Sequence, residues 1–184
     1  VTLESKFRLS LSASYNENRY DLSDGSQLLS VSRSQEASAR YIWGLGQHWS
    51  GMTGASAWTS DYSNVALMLD AESGLEYNVF PYSESTRRQL RFDYTLEYRH
   101  ADYQVPTIYF KSAEHLAREG LEVALDSKEP WGSSQISIEG LNYLHDFRKN
   151  RLQAYGSVSL RLVEGLSLKL SGNASRIRDQ LSLP

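Results

Sequence analysis

Apolar and polar residues alternate through most of the chain, and the alternation is strictest from Arg87 to His100. In this stretch, RRQLRFDYTLEYRH, the apolar residues share one parity, and charged and polar residues fill the other from Arg87 to Arg99. Successive side chains of a β-strand point to opposite faces, so this period predicts a strand with one apolar and one charged face. The apolar positions are Leu90, Phe92, Tyr94, Leu96 and Tyr98.

The two-residue period recurs from end to end and divides the chain into nine predicted strands. Their predicted bounds are 5–16, 28–45, 48–60, 65–80, 86–100, 115–128, 133–144, 151–163 and 166–178. Residues 112–122 also have the composition of a short helix, which is kept as an alternative for that stretch. The pattern predicts an all-β, antiparallel, up-and-down β-barrel in a single domain over residues 1–184.

The predicted connections alternate between short and long segments. The short ones cover 45–49, 81–86, 129–132 and 163–165, and the long ones cover 20–27, 60–64, 100–114 and 144–150. In an up-and-down sheet, alternate connections lie at opposite ends, so the short turns all lie at one end. Long strands combined with this asymmetry favour a barrel of the bacterial outer-membrane type. A soluble β-barrel or antiparallel sheet that binds an apolar ligand or a partner protein stays open as the alternative.

The last predicted hairpin has a defined turn. A two-residue turn would set polar-face Val163 against apolar-face Leu166, so the faces favour a three-residue loop that pairs Leu162 with Leu166. Gly165 would then take the left-handed conformation. This register sets Leu160 opposite Leu168, Val158 opposite Leu170, and Gly156 opposite Gly172.

Four segments resemble parts of uncharacterised outer-membrane β-barrel proteins of environmental Gram-negative bacteria. They are EYNVFPYSESTRRQL (76–90), PWGSSQISIEG (130–140), YLHDFRKNRL (143–152) and GLSLKLSGNASRIRDQL (165–181). The resemblance covers about half of the chain and implies a barrel in the outer membrane, without a catalytic motif. Members of that group continue past the equivalent of RDQLSLP, so the domain is expected to be incomplete at its C-terminus.

The composition narrows the possible partners. A net charge of -3 argues against nucleic acid, and the absence of cysteine removes cysteine metal sites. No apolar run is long enough for a transmembrane helix, and the first residues lack the pattern of a signal peptide. Twelve Tyr and four Trp suit a boundary between water and an apolar phase. The expected partner is the lipid bilayer, with other subunits of a membrane complex as a further candidate, and no cofactor or metal is expected.

In the barrel interpretation, one face of the alternating strands meets lipid and the other meets the lumen. The predicted lipid-facing residues are Leu90, Phe92, Tyr94, Leu96 and Tyr98. The predicted lumen-lining charges are Asp70, Glu72, Glu76, Arg87, Arg91, Asp93, Glu97 and Arg99. Such charges either line a passive pore and set its ion preference, or form a structural network that does not conduct.

Two His–Asp pairs at the long-loop end raise the alternative of a hydrolase acting at the barrel rim. They are His100 with Asp102, and His145 with Asp146. A histidine that acts as a catalytic base needs an orienting carboxylate and a nearby nucleophile. The serines of the chain lie in no nucleophile motif. The expectation is therefore a non-enzymatic protein with no catalytic residues.

The strand count and the aromatic residues make two further expectations. Nine strands leave the chain ends at opposite ends of the sheet, whereas bacterial barrels have even strand numbers. The first and last strands are therefore expected to be open edges or to pair with other protein. Aromatic girdles are expected from Trp49 and Trp131 at the short-turn end, and from Tyr20, Tyr62 and Tyr103 at the other.

Overall fold

A computed structural model describes residues 5–23 and 25–179, which form one nine-stranded antiparallel sheet. The strands are β1 (Ser5–Asp21), β2 (Gln27–Gly44), β3 (Trp49–Ser60), β4 (Val65–Asn78), β5 (Arg88–Tyr103), β6 (Ala113–Glu129), β7 (Gly132–Tyr143), β8 (Asp146–Val163) and β9 (Leu166–Ile177). Each strand pairs with its neighbour in sequence, so the order across the sheet is β1 to β9. The predicted all-β, up-and-down arrangement is confirmed.

Helix is almost absent from the described residues. A single 3-10 turn, Tyr82–Glu84, lies between β4 and β5. The helical alternative for residues 112–122 is wrong, because residues 113–122 lie in β6, which pairs with β5 and β7 on its two sides. No helix in the described part of the chain is long and apolar enough to cross a membrane.

The two ends of the sheet differ less than the sequence suggests. At the end predicted to carry long loops, the connections have five, four, nine and two residues, and at the other end they have four, nine, two and two. The predicted asymmetry is wrong because strand pairing continues past the apolar stretch at the long-loop end. Thus β1 runs on to Asp21 and β5 to Tyr103.

The β8–β9 hairpin follows the predicted register except at its tip. Gly165 has a φ of 79°, as expected, and Gly156 lies opposite Gly172. The residue paired with Leu166 is Val163, so the predicted pairing of Leu162 with Leu166 is wrong. An irregularity between Arg161 and Val163 absorbs one residue, and for this reason the apolar faces still match along the rest of the hairpin.

The sheet is open. Within residues 5–23 and 25–179, β1 pairs only with β2, and β9 pairs only with β8. The expectation that the first and last strands leave free edges is confirmed. These strands do not form a closed barrel.

The sheet curves around one of its faces. Residues from β1 to β6, including Arg8, Arg40, Glu72, Arg99 and Arg118, line a single cavity of about 500 Å³. A flat sheet could not bring six strands around one cavity, so this face is concave. The largest buried cluster lies on it near the long-loop end and contains Val65, Met68, Ala101 and Tyr103, with Trp58 packed against them.

Candidate functional site

The two faces of β5 have opposite chemistry. Phe92 and Tyr98 lie on the convex face and are 40% and 52% exposed. The side chains of Glu97 and Arg99 lie on the concave face and are 14% and 17% exposed. The sheet therefore exposes its apolar row and shelters its charges, which is the reverse of the usual arrangement in a water-soluble protein.

The apolar surface of the convex face extends beyond β5 to neighbouring strands, although Glu119 on β6 shares this face and accepts a hydrogen bond of 2.9 Å from the Tyr94 hydroxyl. Cross-strand pairing continues the row from Tyr77 through Phe92 and Val123 to Ile138. In residues 5–23 and 25–179, no helix or second sheet covers this face. The five residues predicted to face lipid all lie in it, although Leu90 is more sheltered than the other four.

Asp70, Glu97, Arg99 and Arg118 form a network of charges on the concave face, toward the long-loop end. This group is called the upper network. Nη2 of Arg99 lies 3.2 Å from Oδ2 of Asp70 and 3.2 Å from Oε1 of Glu97. Glu97 also accepts a hydrogen bond of 2.7 Å from Arg118. Trp58 Nε1 donates to Asp70 at 3.3 Å. Three strands thus share one chain of ion pairs, β4–β5–β6, in which each carboxylate is neutralised.

A further ion pair joins strands that are not neighbours. Nη2 of Arg40 on β2 lies 2.7 Å from Oε1 of Glu72 on β4. Gly54 on β3 lies between them and leaves room for the contact. This pair extends the upper network across the sheet.

Nearer the short-turn end, the concave face has an excess of carboxylates. Pairing between strands places Glu76, Asp93, Glu122 and Glu139 in one row across β4, β5, β6 and β7. Among the ion pairs of the described residues, Arg91 is the one cation in contact with this row, with its guanidinium 3.8 Å from Glu76 and 3.9 Å from Asp93. Like charges directly opposite one another repel. The row is therefore a region of negative potential on the concave face.

Tyr82 closes the row at the short-turn end. Its hydroxyl donates a hydrogen bond of 2.7 Å to Glu76 Oε1. Burial, with a smaller contribution from the neighbouring Glu76 carboxylate and against the effect of a hydrogen bond with Ser50, raises the pKa of the Tyr82 phenol to about 12. The neutral phenol is thus the form that this site favours.

Seven of the eight charges predicted to line a lumen lie on the concave face. Arg87 is the exception: it lies in the turn before β5, and its side chain is 62% exposed and pairs with Glu129 at 3.3 Å. Sequence reasoning missed Arg40, Arg118, Glu122 and Glu139. Each of them has the polar parity of its strand, so the alternation could have assigned the face, but only the register between strands brings them to the network.

Two of the histidines near the long-loop end, His100 and His115, form a separate cluster on the convex face. The rings of His100 and His115 lie 4.5 Å apart, and the Tyr98 hydroxyl lies 2.7 Å from Nδ1 of His115. Nε2 of His100 lies 3.3 Å from Asp102. The polar partners of these histidines are thus a phenol and a carboxylate, and neither supplies the aliphatic hydroxyl that a Ser–His–Asp arrangement needs.

The second His–Asp pair does not form a contact of the predicted kind. Asp146 accepts a hydrogen bond of 3.1 Å from Arg148, and the His145 ring packs against Tyr143 at 5.6 Å. In the described part of the chain, no group of three or more His, Asp or Glu side chains has the geometry of a metal site.

The aromatic residues fit the two predicted girdles in part. At the short-turn end, Trp49 packs against Tyr77 with 4.8 Å between ring centroids, and Trp131 is exposed. At the other end, Tyr62 is exposed, and Tyr20 is exposed but lies on the same face of β1 as Lys6 and Arg8, which is the concave face. Tyr103 does not belong to a girdle, because it is buried on the concave side and donates a hydrogen bond of 2.6 Å to Glu114.

No protein-family model, curated protein or solved structure matches this chain.

Proposed function

We propose that this chain forms wall strands of a non-enzymatic β-barrel in a bacterial outer membrane. The convex face contacts lipid, and the concave face lines a polar lumen that acts as a passive pore. The observation that carries the proposal is the inversion of the two faces, with apolar residues exposed and charged residues sheltered.

The energetics support lipid as the medium on the convex side. Apolar surface gains about 25 cal/mol per Å² when it leaves water, and large contiguous apolar patches are rare on water-soluble monomers. The row from Tyr77 to Ile138 crosses four strands without a covering element in the described residues. A soluble sheet would need a ligand or partner protein over this whole face, whereas a bilayer covers it directly.

The charges on β4 to β7 support a lumen that favours cations along this part of its wall, whereas the inward cations Lys6, Arg8, Arg161 and Lys169 lie at the two edges of the sheet. The upper network is balanced, because Arg40, Arg99 and Arg118 are paired with Glu72, Asp70 and Glu97. The row of four carboxylates nearer the short-turn end of the same face has an excess of negative charge. Rings of carboxylates in a pore favour cations over anions. If the lumen is instead filled and does not conduct, the protein has the structural or anchoring role.

A pair of adjacent substitutions on β7 tests the membrane proposal. Ile138 lies on the convex face and Ser137 on the concave face, so Ile138→Arg and Ser137→Arg add the same charge to opposite sides of one strand. Arginine on the lipid face of a barrel costs up to about 2–4 kcal/mol, depending on depth. We expect Ile138→Arg to reduce insertion into lipid vesicles, measured by flotation, and Ser137→Arg to insert like the parent protein.

The two interpretations predict different results for this pair. In a soluble sheet, Ile138→Arg would cause no loss of stability, because the side chain is exposed to water. The protein would also stay in solution in buffer without detergent. Recovery of the parent chain as a soluble monomer that does not float with vesicles would overturn the proposal.

Conductance across a planar bilayer tests the pore itself. We expect a reversal potential that indicates cation preference in a salt gradient, and a weaker preference in the Glu122→Gln/Glu139→Gln double variant. Arg19→Gln is the matched control, because Arg19 belongs to an exposed ion pair on the convex side of β1. Insertion into vesicles without conductance would exclude the pore and support the structural or anchoring role.

A further inference from the structure

The two free edges of the sheet lack the features that usually block further pairing. β1 pairs with β2 over its full 17 residues without an irregularity, and neither β1 nor β9 contains proline. Both strands keep the alternation of the interior strands. An edge of this length and regularity is a template for another strand.

The concave side of both edges is basic. On β1 the inward charges are Lys6 and Arg8, and beside the other edge they are Arg161 on β8 and Lys169 on β9. All four lie toward the short-turn end of their strands. In residues 5–23 and 25–179, none of the four has an ion-pair partner, and neither β1 nor β9 has a carboxylate on this face.

Direct pairing of β1 with β9 does not suit this arrangement. In an up-and-down sheet the first and ninth strands run in the same direction, so the pair would be parallel in a sheet that is otherwise antiparallel. It would also bring Lys6 and Arg8 to the same end as Lys169. Like charges on adjacent strands are destabilising. A second copy of the chain offers the same two edges, which again supply no inward carboxylate.

We propose that the free edges of β1 and β9 bind an additional strand that runs antiparallel to both, directs apolar side chains outward, and directs carboxylates inward toward the short-turn end. The partner is thus defined by the direction of its strand, by its alternation of apolar and polar residues, and by its inward negative charge. The inference goes beyond the proposed function, since the same edges would need a partner in a soluble sheet.

Disulfide trapping with synthetic peptides tests the proposal, because the chain has no cysteine of its own. Ser12→Cys on β1 and Ser171→Cys on β9 report on the two edges from inward positions. The probes are peptides of alternating leucine and glutamate, leucine and serine, or leucine and lysine. Each has the length of β9, 12 residues, and a central inward cysteine.

Ser38→Cys on β2 is the matched control. It is also an inward serine in the middle of a strand, but both sides of β2 are already paired, with β1 and with β3. We expect the glutamate peptide to form the mixed disulfide at both edge cysteines and not at Ser38→Cys. Its yield should exceed that of the lysine peptide by roughly tenfold, since several opposite-charge pairs on adjacent strands each contribute a small factor.

Charge reversal on one edge separates charge from backbone pairing. With Lys6→Glu/Arg8→Glu, we expect the Ser12→Cys reporter to prefer the lysine peptide, while the Ser171→Cys reporter keeps its preference for glutamate. Equal trapping of all three peptides, or trapping at Ser38→Cys as well, would overturn the proposal. It would also be overturned by absence of any trapping, or by a Ser12→Cys/Ser171→Cys double variant that forms a disulfide within one molecule or between two copies. Because the assay needs no bilayer, its failure is distinguishable from failure of membrane insertion.

Discussion

The Arg40 guanidinium on β2 and the Glu72 carboxylate on β4 meet at 2.7 Å across the intervening strand β3. Gly54 lies directly between them in the register. A Cβ at Gly54 would lie 2.6 Å from Glu72 Oε1 and 3.1 Å from the carbonyl oxygen of Ala39. The ion pair therefore depends on a residue without a side chain.

Gly54→Ala should lower the free energy of unfolding by about 1 kcal/mol. Alanine restricts the unfolded chain, which favours folding by roughly 0.4–1 kcal/mol, but crowding against the Ala39 carbonyl and Glu72 costs about 1–3 kcal/mol. Denaturant unfolding in a detergent that keeps the protein monodisperse measures the difference. Gly156→Ala is the control, because a Cβ there meets nothing within 4 Å. A shift of the same size in both variants would contradict the geometric explanation.

Arg99 holds the centre of the upper network. Arg99→Met would remove the cation from between Asp70 and Glu97, whose side chains are only 11% and 14% exposed. Breaking a sheltered ion pair on one side leaves an uncompensated charge, so the free energy of unfolding should fall by about 2–4 kcal/mol. The readout is the same denaturant unfolding experiment.

The control for Arg99 is Arg19→Met, since the Arg19 side chain is 71% exposed in its pair with Glu17. Exposed pairs of this kind contribute roughly 0–1 kcal/mol. A second variant, Arg99→Met/Asp70→Asn, should recover part of the stability because it also removes one unpaired carboxylate. If Arg19→Met and Arg99→Met cost the same, the upper network has no special role.

Strand positions and face assignments could be predicted from this sequence because both depend on local alternation. All nine predicted strands are present, and Leu90, Phe92, Tyr94, Leu96 and Tyr98 share one face. The secondary structure of 112–122 is ambiguous from local sequence. Pairing with strands on both sides, rather than helix propensity, determines that this segment is a strand.

Contacts between strands could not be predicted, because they depend on register. The row from Glu76 to Glu139 is dispersed over more than sixty positions and becomes visible only when four strands are aligned. The tip of the last hairpin shows the same limit. Face matching predicts the register beyond Leu160, but not the irregularity that pairs Val163 with Leu166.

Gly165 tests the backbone conformation of that tip. Its φ is 79°, and a Cβ at this position would meet nothing within 4 Å. The cost of Gly165→Ala is therefore conformational, about 1 kcal/mol for a Cβ in the left-handed region. Gly172→Ala on β9 is the matched control, because it too has open space around the Cβ but no positive φ. Thermal unfolding should separate the two variants, and an unchanged midpoint for Gly165→Ala would show that the tip can take another turn.

Tyr82 makes a prediction about alkaline pH. Its pKa is raised by burial from 10.0 to about 12 in the folded protein, so the folded state retains the phenolic proton over a range in which the unfolded state loses it. The stabilisation is fully present below pH 10 and is lost as the pH rises from about 10 to about 12. The free energy of unfolding of the parent protein should therefore fall more steeply across this range than that of Tyr82→Phe. Tyr62→Phe, at a side chain that is 92% exposed, should keep the parent slope. Parallel curves for the parent and Tyr82→Phe would show that the half-buried site does not retain the phenolic proton.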